Sequence, residues 1–172
     1  MQVTKRWYND PVIFIPDNMP DNITAAIHHV INTINRNMDV IELTTTEDQY
    51  YGTIVFHYND LGLAYHGTER TESDGNEITY SDITINSNPQ VRGNYIDGSW
   101  SCDKARQALV SHELLHALGF HHVPHSWNDT VMWGLGNSLC ANYWSNRTIP
   151  TRLELDALHY HYNDRMGYNN CH

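Results

Sequence analysis

The chain has 172 residues, a length typical of one domain with its own hydrophobic core. Hydrophobic residues make up 40% of it and aromatic residues 11%, which indicates a globular protein rather than a disordered one. The formal net charge of −10 disfavours a nucleic-acid partner, because an acidic surface repels phosphates. We expect one domain over residues 1–172, with no apolar run long enough to span a membrane.

Two features bear on the compartment in which the protein works. The first ten residues, MQVTKRWYND, lack the apolar segment of a signal peptide. The three cysteines, Cys102, Cys140 and Cys171, form no Cys-x-x-Cys pair, which disfavours a thiolate metal site. One disulfide with one free thiol and three reduced thiols both agree with this sequence, so the cysteines leave the compartment open.

The first half of the chain carries the patterns of one helix and several strands. Pro11–Asn18 has the apolar run of a short buried strand that ends in turn residues. In Pro20–Asn37 apolar residues recur at helical spacing, and Asp21 or Asn22 can cap the start of this helix. Further strands are predicted at Asp39–Thr46, Gly52–Asp60, Gly62–Gly67 and Ile78–Asn86, with a polar loop at Thr68–Glu77.

Two helices are predicted in the second half. The first covers Asp103–Leu118 and follows a loop at Ser87–Ser101. The second starts where Thr151 and Glu154 form a capping box. Its apolar face is predicted at Leu155, Leu158 and Tyr162. This order of elements predicts an α+β fold, in which helices pack on a mixed sheet.

The helix at Asp103–Leu118 carries a pattern that is typical of a metal site. His112 and His116 lie four residues apart, so both imidazoles lie on one face and can bind zinc at about 2.0–2.1 Å. Glu113 adjoins the first histidine, where a general base for metal-activated water belongs. Gly119 can end the helix and turn the chain, so that His122 becomes a third ligand. Three ligands and one open position are typical of catalytic zinc.

The segment HELLHALGFHH, followed by NDTVMWG, resembles the zinc signature of the metzincin metallopeptidases. That signature is His-Glu-x-x-His-x-x-Gly-x-x-His with a methionine-containing turn downstream, and Met132 stands at the place of the methionine. The resemblance implies a mixed twisted sheet with two helices in an upper lobe at about residues 1–119. It also implies a loop-rich lower lobe at about residues 120–172 that ends in a helix.

The resemblance further implies a function. It predicts a zinc-dependent endopeptidase in which the three histidines bind one zinc ion and Glu113 is the general base. The substrate would be a protein or peptide, and the enzyme would be secreted and monomeric. By the same analogy Trp133 and Leu135 line a substrate pocket. Ile83 would lie on the edge strand of the sheet, at Ile78–Asn86, where an extended peptide can pair.

Two positions depart from the subfamilies of the metzincins. Val123 follows the third histidine, where matrixins have Ser or Thr, astacins Glu and adamalysins Asp. Gly134 stands two residues after Met132, where astacins and serralysins have a tyrosine that reaches the zinc. The subfamily therefore stays open. Two alternatives share the same ligands: a zinc-containing peptide-binding protein without proteolytic activity, and a zinc hydrolase of non-peptide amides.

Other candidate metal sites are weaker. His121 competes with His122 for the third-ligand position, but the spacing favours His122. The segment Asp74–Glu77 could hold calcium, although a solvated turn is the simpler interpretation. A second metal site at His57, His66 and Asp60 lacks the usual ligand spacing.

Overall fold

The computed structural model describes residues 5–93, 103–122, 130–133 and 149–167. Its strands are β1 (Val12–Phe14), β2 (Thr44–Thr46), β3 (Ile54–Asn59), β4 (Gly67–Asp74) and β5 (Glu77–Asn86). Its α-helices are α1 (Asp21–Arg36), α2 (Pro89–Gly93), α3 (Asp103–Ala117) and α4 (Arg152–Gly167). Single 3-10 turns form at Gln49–Tyr51 and Val131–Trp133. The predicted α+β class is confirmed.

The five strands form one mixed sheet in the order β2-β1-β3-β5-β4. The strands β2, β1, β3 and β5 pair in parallel, and β4 pairs antiparallel with β5 at one edge. A two-residue turn joins β4 to β5, and Gly75 takes a φ of 58° there, which costs glycine little. The sheet therefore ends in a hairpin at one edge.

This hairpin corrects two predictions. The polar segment Thr68–Glu77, predicted as a loop, forms most of β4 and the turn after it. From Glu69 to Asp74 its residues alternate between half-buried and exposed, because only one face of an edge strand packs against the protein. The segment Gly62–Gly67, predicted as a strand, consists of turns up to the first residue of β4.

The prediction that Ile78–Asn86 is the edge strand is wrong. This segment lies inside the sheet as β5, between β3 and β4. Ile83, predicted to contact substrate, is 0% exposed and packs in the core with Ile78 and Ile85. A strand paired on both sides has no free backbone groups to offer a peptide, so β4 takes the place that the sequence assigned to β5.

The helices follow the predicted apolar spacing. The buried face of α1 includes Ile23, Ile27, Val30 and Ile34, and α1 packs against α3. Neither Asp21 nor Asn22 caps α1, because Pro20 occupies the N-cap position and no side chain bonds there.

The last helix, α4, begins with the predicted pair Thr151 and Glu154. The carboxylate of Glu154 accepts hydrogen bonds from the Thr151 N–H at 2.9 Å and from its hydroxyl at 3.1 Å. Leu155, Leu158 and Tyr162 are buried on one face as predicted, in the same core cluster as the sheet and α1. Among the described residues, no helix has the length and apolar character needed to cross a membrane.

Candidate metal centre

Three histidine side chains converge at the carboxyl end of α3. The Nε2 atoms of His112 and His116 lie 3.2 Å apart, and Nε2 of His122 lies 3.1 Å from the first and 3.2 Å from the second. Nitrogens that share one tetrahedral zinc ion at about 2.0–2.1 Å lie about 3.3–3.4 Å from one another. The triangle is therefore close to the size that one zinc ion requires, and the three residues could hold a metal ion.

Two backbone carbonyls orient the helical histidines. Nδ1 of His112 lies 2.7 Å from the carbonyl oxygen of Val131, and Nδ1 of His116 lies 2.8 Å from that of Phe120. Because a carbonyl only accepts, each Nδ1 donates, and in a neutral ring Nε2 then carries the lone pair. Two lone pairs thus meet at the centre of the triangle, an arrangement that a cation stabilises.

The turn after α3 brings the third histidine to the other two. Gly119 has a φ of 101°, in the left-handed region that favours glycine. Its N–H donates to the carbonyl of His116 at 2.9 Å, and the N–H of Phe120 donates to that of Leu115 at 3.0 Å. α3 ends at Ala117, and the turn at the predicted glycine reverses the chain so that His122 faces the helix.

Two aromatic side chains bind the last carbonyls of this helical segment. Nε1 of Trp7 donates to the carbonyl of Ala117 at 2.8 Å, and the hydroxyl of Tyr162 donates to that of Leu118 at 2.8 Å. Both aromatic side chains are buried. Trp7, which precedes β1, and Tyr162 of α4 thus hold the carboxyl end of α3. The sequence did not reveal this role, because these side chains lie far along the chain from the carbonyls that they bind.

Burial sets the protonation of the two helical histidines. It lowers the pKa of His112 to about 4, although the bond to the Val131 carbonyl opposes this effect. Burial also lowers the pKa of His116. Both imidazoles are therefore neutral near pH 7, and the neutral imidazole is the form that binds a metal.

Glu113 lies buried between α3 and the edge strand β4. Only 5% of it is exposed, and burial, together with the charge of Glu69, raises its pKa to about 8. A Cβ atom at Gly67 would lie 3.1 Å from both Cγ and Oε1 of Glu113. The carboxyl thus lies directly against β4 where the strand has no side chain, and its surroundings favour holding a proton. Sequence reasoning found Glu113 but not Gly67.

A second carboxylate supports the backbone beside His112. Glu154 accepts a hydrogen bond from the N–H of Met132 at 3.2 Å and also binds Thr151. Met132 is 0% exposed in the core, and the carbonyl of Val131 in the same turn binds His112. Glu154 thereby connects the start of α4 to the histidine triangle. The sequence identified it as a helix cap, and only the fold showed its contact with this turn.

Of the remaining predicted site residues, Ile83 and His121 are not part of the histidine triangle. The backbone of Trp133 ends the Val131–Trp133 turn. Ile83 is buried in the sheet, and His121 is exposed. The following predictions lie outside the described residues: Leu135, Val123, Gly134 and the three cysteines.

Within the described part of the chain, the histidine triangle is the one group of three or more ligand-type side chains that could hold a metal. Asp74 and Glu77 are opposite residues of the β4–β5 turn. His57 binds Asp82 at 2.8 Å, while Asp60 accepts from the N–H of Gly62 and from Asn88. The calcium site and the second metal site considered from the sequence therefore gain no support.

The chain was compared with protein-family models and with curated proteins, and none of them matches it.

Proposed function

We propose that the protein is a zinc-dependent endopeptidase. One observation carries this proposal: two imidazoles with backbone-bonded Nδ1 atoms direct Nε2 lone pairs toward a third imidazole, and a buried carboxyl adjoins them in the chain. Imidazole nitrogens suit zinc, a structural zinc site would use a fourth protein ligand, and the described residues bring three ligand-type side chains together. The pairing of three ligands with Glu113 therefore favours a catalytic centre.

The reaction needs a base that accepts a proton from the attacking water and keeps it from exchanging with bulk solvent. A bound zinc ion would polarise a water molecule and the carbonyl of the peptide bond. The carboxylate of Glu113 would take a proton from the attacking water at one of its oxygens and return it to the leaving amide nitrogen. Its burial against Gly67 keeps bulk solvent from this proton.

The edge strand β4 offers a place for an extended peptide. The N–H of Asn86 donates to the carbonyl of His66, so in this antiparallel pair the backbone N–H and C=O groups of even-numbered residues point to β5, up to the register shift after Glu72. The backbone groups of Gly67, Glu69 and Thr71 then point to the open edge. Among the described residues, β4 pairs on one side alone. A peptide that pairs there would pass directly beside Glu113.

Cleavage of a diverse peptide library, read by mass spectrometry, tests the proposal. We expect the purified protein to bind one zinc per chain and to cut peptides, to stop after chelation, and to recover with zinc. The Glu113→Gln variant should keep its zinc and lose cleavage, whereas Glu72→Gln, a change at an exposed residue of β4, should alter neither.

Two results would overturn the proposal. Cleavage by Glu113→Gln at the unmodified rate would remove Glu113 from the mechanism. Binding of zinc and of peptides by the unmodified protein, with no product from any library member, would show a peptide-binding protein instead.

A further inference from the structure

A cavity beside the histidine triangle is not used by the reaction proposed above. It has a volume of about 170 Å³, far more than one water molecule needs. Its wall includes His116, Gly119, Phe120 and His121 from the end of α3 and the turn after it, and Glu69 and Thr71 from β4. The cavity therefore lies between the candidate metal centre and the strand edge.

Glu69 places a half-buried carboxylate in this cavity. Its Oε1 accepts hydrogen bonds from the hydroxyl of Ser81 at 2.7 Å and from that of Thr71. Both contacts are with neutral hydroxyls, and none of the ion pairs formed by the described residues includes Glu69. Lys5 also lines the cavity, but its ammonium group donates to Ser73 at 2.6 Å.

Two core side chains form the apolar part of the wall. Phe120 and Ile78 are 1% and 2% exposed, and both line the cavity. An apolar part of the wall beside one carboxylate matches the two parts of a lysine or arginine side chain, whose methylene stem packs on apolar surface while its charged end binds an anion. A carboxylate-bearing side chain would be repelled by Glu69. A purely aliphatic side chain would leave the charge of Glu69 without a cationic partner from the peptide.

Strand pairing would bring a substrate side chain to this position. Residues directly opposite each other in a paired ladder have Cβ atoms about 4.5–5.5 Å apart on the same face, and opposite charges there attract. The side chains of Glu69 and Thr71 lie on the face of β4 that is turned toward α3, because a Cβ atom at Gly67 on that same face would contact Glu113. Glu69 lies two residues from that contact, so a residue paired with it lies close to the bond that is cut.

We propose that Glu69 is a specificity-determining residue that selects peptides with lysine or arginine at the position paired with it. This inference rests on the proposed function for its cleavage readout, but the binding preference does not require cleavage.

Matched peptides that differ only at one residue near the cleavage site test this inference. Each position is filled in turn by lysine, arginine, norleucine, glutamine or glutamate, and kcat/KM is measured for the unmodified protein and the Glu69→Gln variant. At one position we expect lysine and arginine to exceed norleucine and glutamate by about tenfold or more, a factor that corresponds to about 1.4 kcal/mol. Glu69→Gln should abolish this preference, measured as the ratio of kcat/KM for lysine peptides to kcat/KM for norleucine peptides. A change in the pKa of Glu113 on loss of the Glu69 charge would affect all peptides alike and leave this ratio unaltered.

Two further variants separate selection from a structural role. Glu72→Gln lies on the same strand but on its exposed, opposite face, and should keep the preference. Lys5→Ala removes the lysine ammonium group that lines the cavity, and should increase the preference for lysine and arginine. Equal loss of kcat/KM for all peptides in Glu69→Gln would overturn the inference, because it would show that Glu69 only supports the strand through Ser81 and Thr71.

A binding measurement distinguishes failure of this inference from failure of the proposed function. Fluorescently labelled lysine and norleucine peptides are titrated against zinc-loaded Glu113→Gln protein, with and without Glu69→Gln. If the unmodified protein cuts nothing but binds the lysine peptide more tightly in a Glu69-dependent way, the inference stands without the peptidase. Equal affinity for both peptides overturns it.

Discussion

Replacement of Gly67 by alanine tests whether Glu113 acts from the position in which the fold holds it. The added Cβ would lie 3.1 Å from Cγ and Oε1 of Glu113 and 3.2 Å from the backbone oxygen of Thr84, where ordinary contacts begin at 3.4 Å. The backbone oxygen belongs to β5 and cannot yield, whereas the Glu113 side chain can rotate. We therefore expect the carboxyl to move by a few tenths of an ångström.

The size of the effect follows from two opposing terms. Crowding a packed site costs about 1–3 kcal/mol, and the lower entropy of an unfolded chain with alanine returns about 0.4–1 kcal/mol. The free energy of unfolding should fall by about 1–2 kcal/mol, which lowers Tm by about 2–8 °C for a chain of this size. Since a displacement of 1 Å can reduce catalysis by about 100-fold, a shift of a few tenths predicts a loss of about tenfold in kcat.

The assay measures kcat on a cleaved library peptide, the zinc affinity, and Tm of the Gly67→Ala protein. Zinc affinity should stay unchanged, because Gly67 contacts Glu113 and the ligand imidazoles keep their carbonyl partners. Thr68→Ala, one residue away on the other face of β4, is the matched control. An unchanged kcat in a variant with lowered Tm would refute the reasoning, since the crowded carboxyl would then have no part in the reaction.

Two further predictions concern residues outside the triangle. Glu154→Ala should lower the free energy of unfolding by about 2–4 kcal/mol, measured by urea unfolding, because it leaves the buried donors of Thr151 and Met132 unpaired. It should also weaken zinc binding about tenfold, measured by zinc titration, because it releases the turn whose carbonyl holds His112. Burial alone would raise the pKa of Asp82, but hydrogen bonds from His57, Arg70 and Tyr80 lower it below the ordinary value. A lowered folded-state pKa gives stability that is present at neutral pH and lost as the pH falls through that pKa. Asp82→Asn should therefore be less stable than the unmodified protein at pH 7 by about 1–3 kcal/mol. This difference in the free energy of unfolding, measured with urea, should narrow below about pH 4. A difference that stays constant with pH would contradict the lowered pKa of Asp82.

Local spacing in the sequence determined the helices and most of the ligand set. The apolar period of Asp21–Arg36 and the capping pair of α4 act within one or two turns, so they are visible without the fold. The same is true of His112 and His116, because a helix brings residues four apart onto one face. Gly119 could be identified as the helix end, since few residues other than glycine take a φ of 101°.

Strand order was not determined in the same way. The polar residues of β4 predict a loop. The structure forms a strand there, because an edge strand with one packed face needs few apolar residues. The apolar alternation of β5 agreed with a half-buried edge strand as well as with an interior one. Which of the two is the edge strand, paired on only one side, depends on contacts between segments that are distant in the sequence. No short stretch of sequence encodes these contacts.

The sequence by itself determined which side chains can bind a metal and which carboxyl adjoins them, because that chemistry depends on residue type and helical spacing. Only the tertiary structure decided how the site is supported. It placed the carbonyl of Val131 on His112, Glu154 beneath that turn and Gly67 against Glu113. Backbone carbonyls carry no sequence signal, and close approaches arise from packing of segments far apart in the chain, so these contacts could be read only from the folded protein.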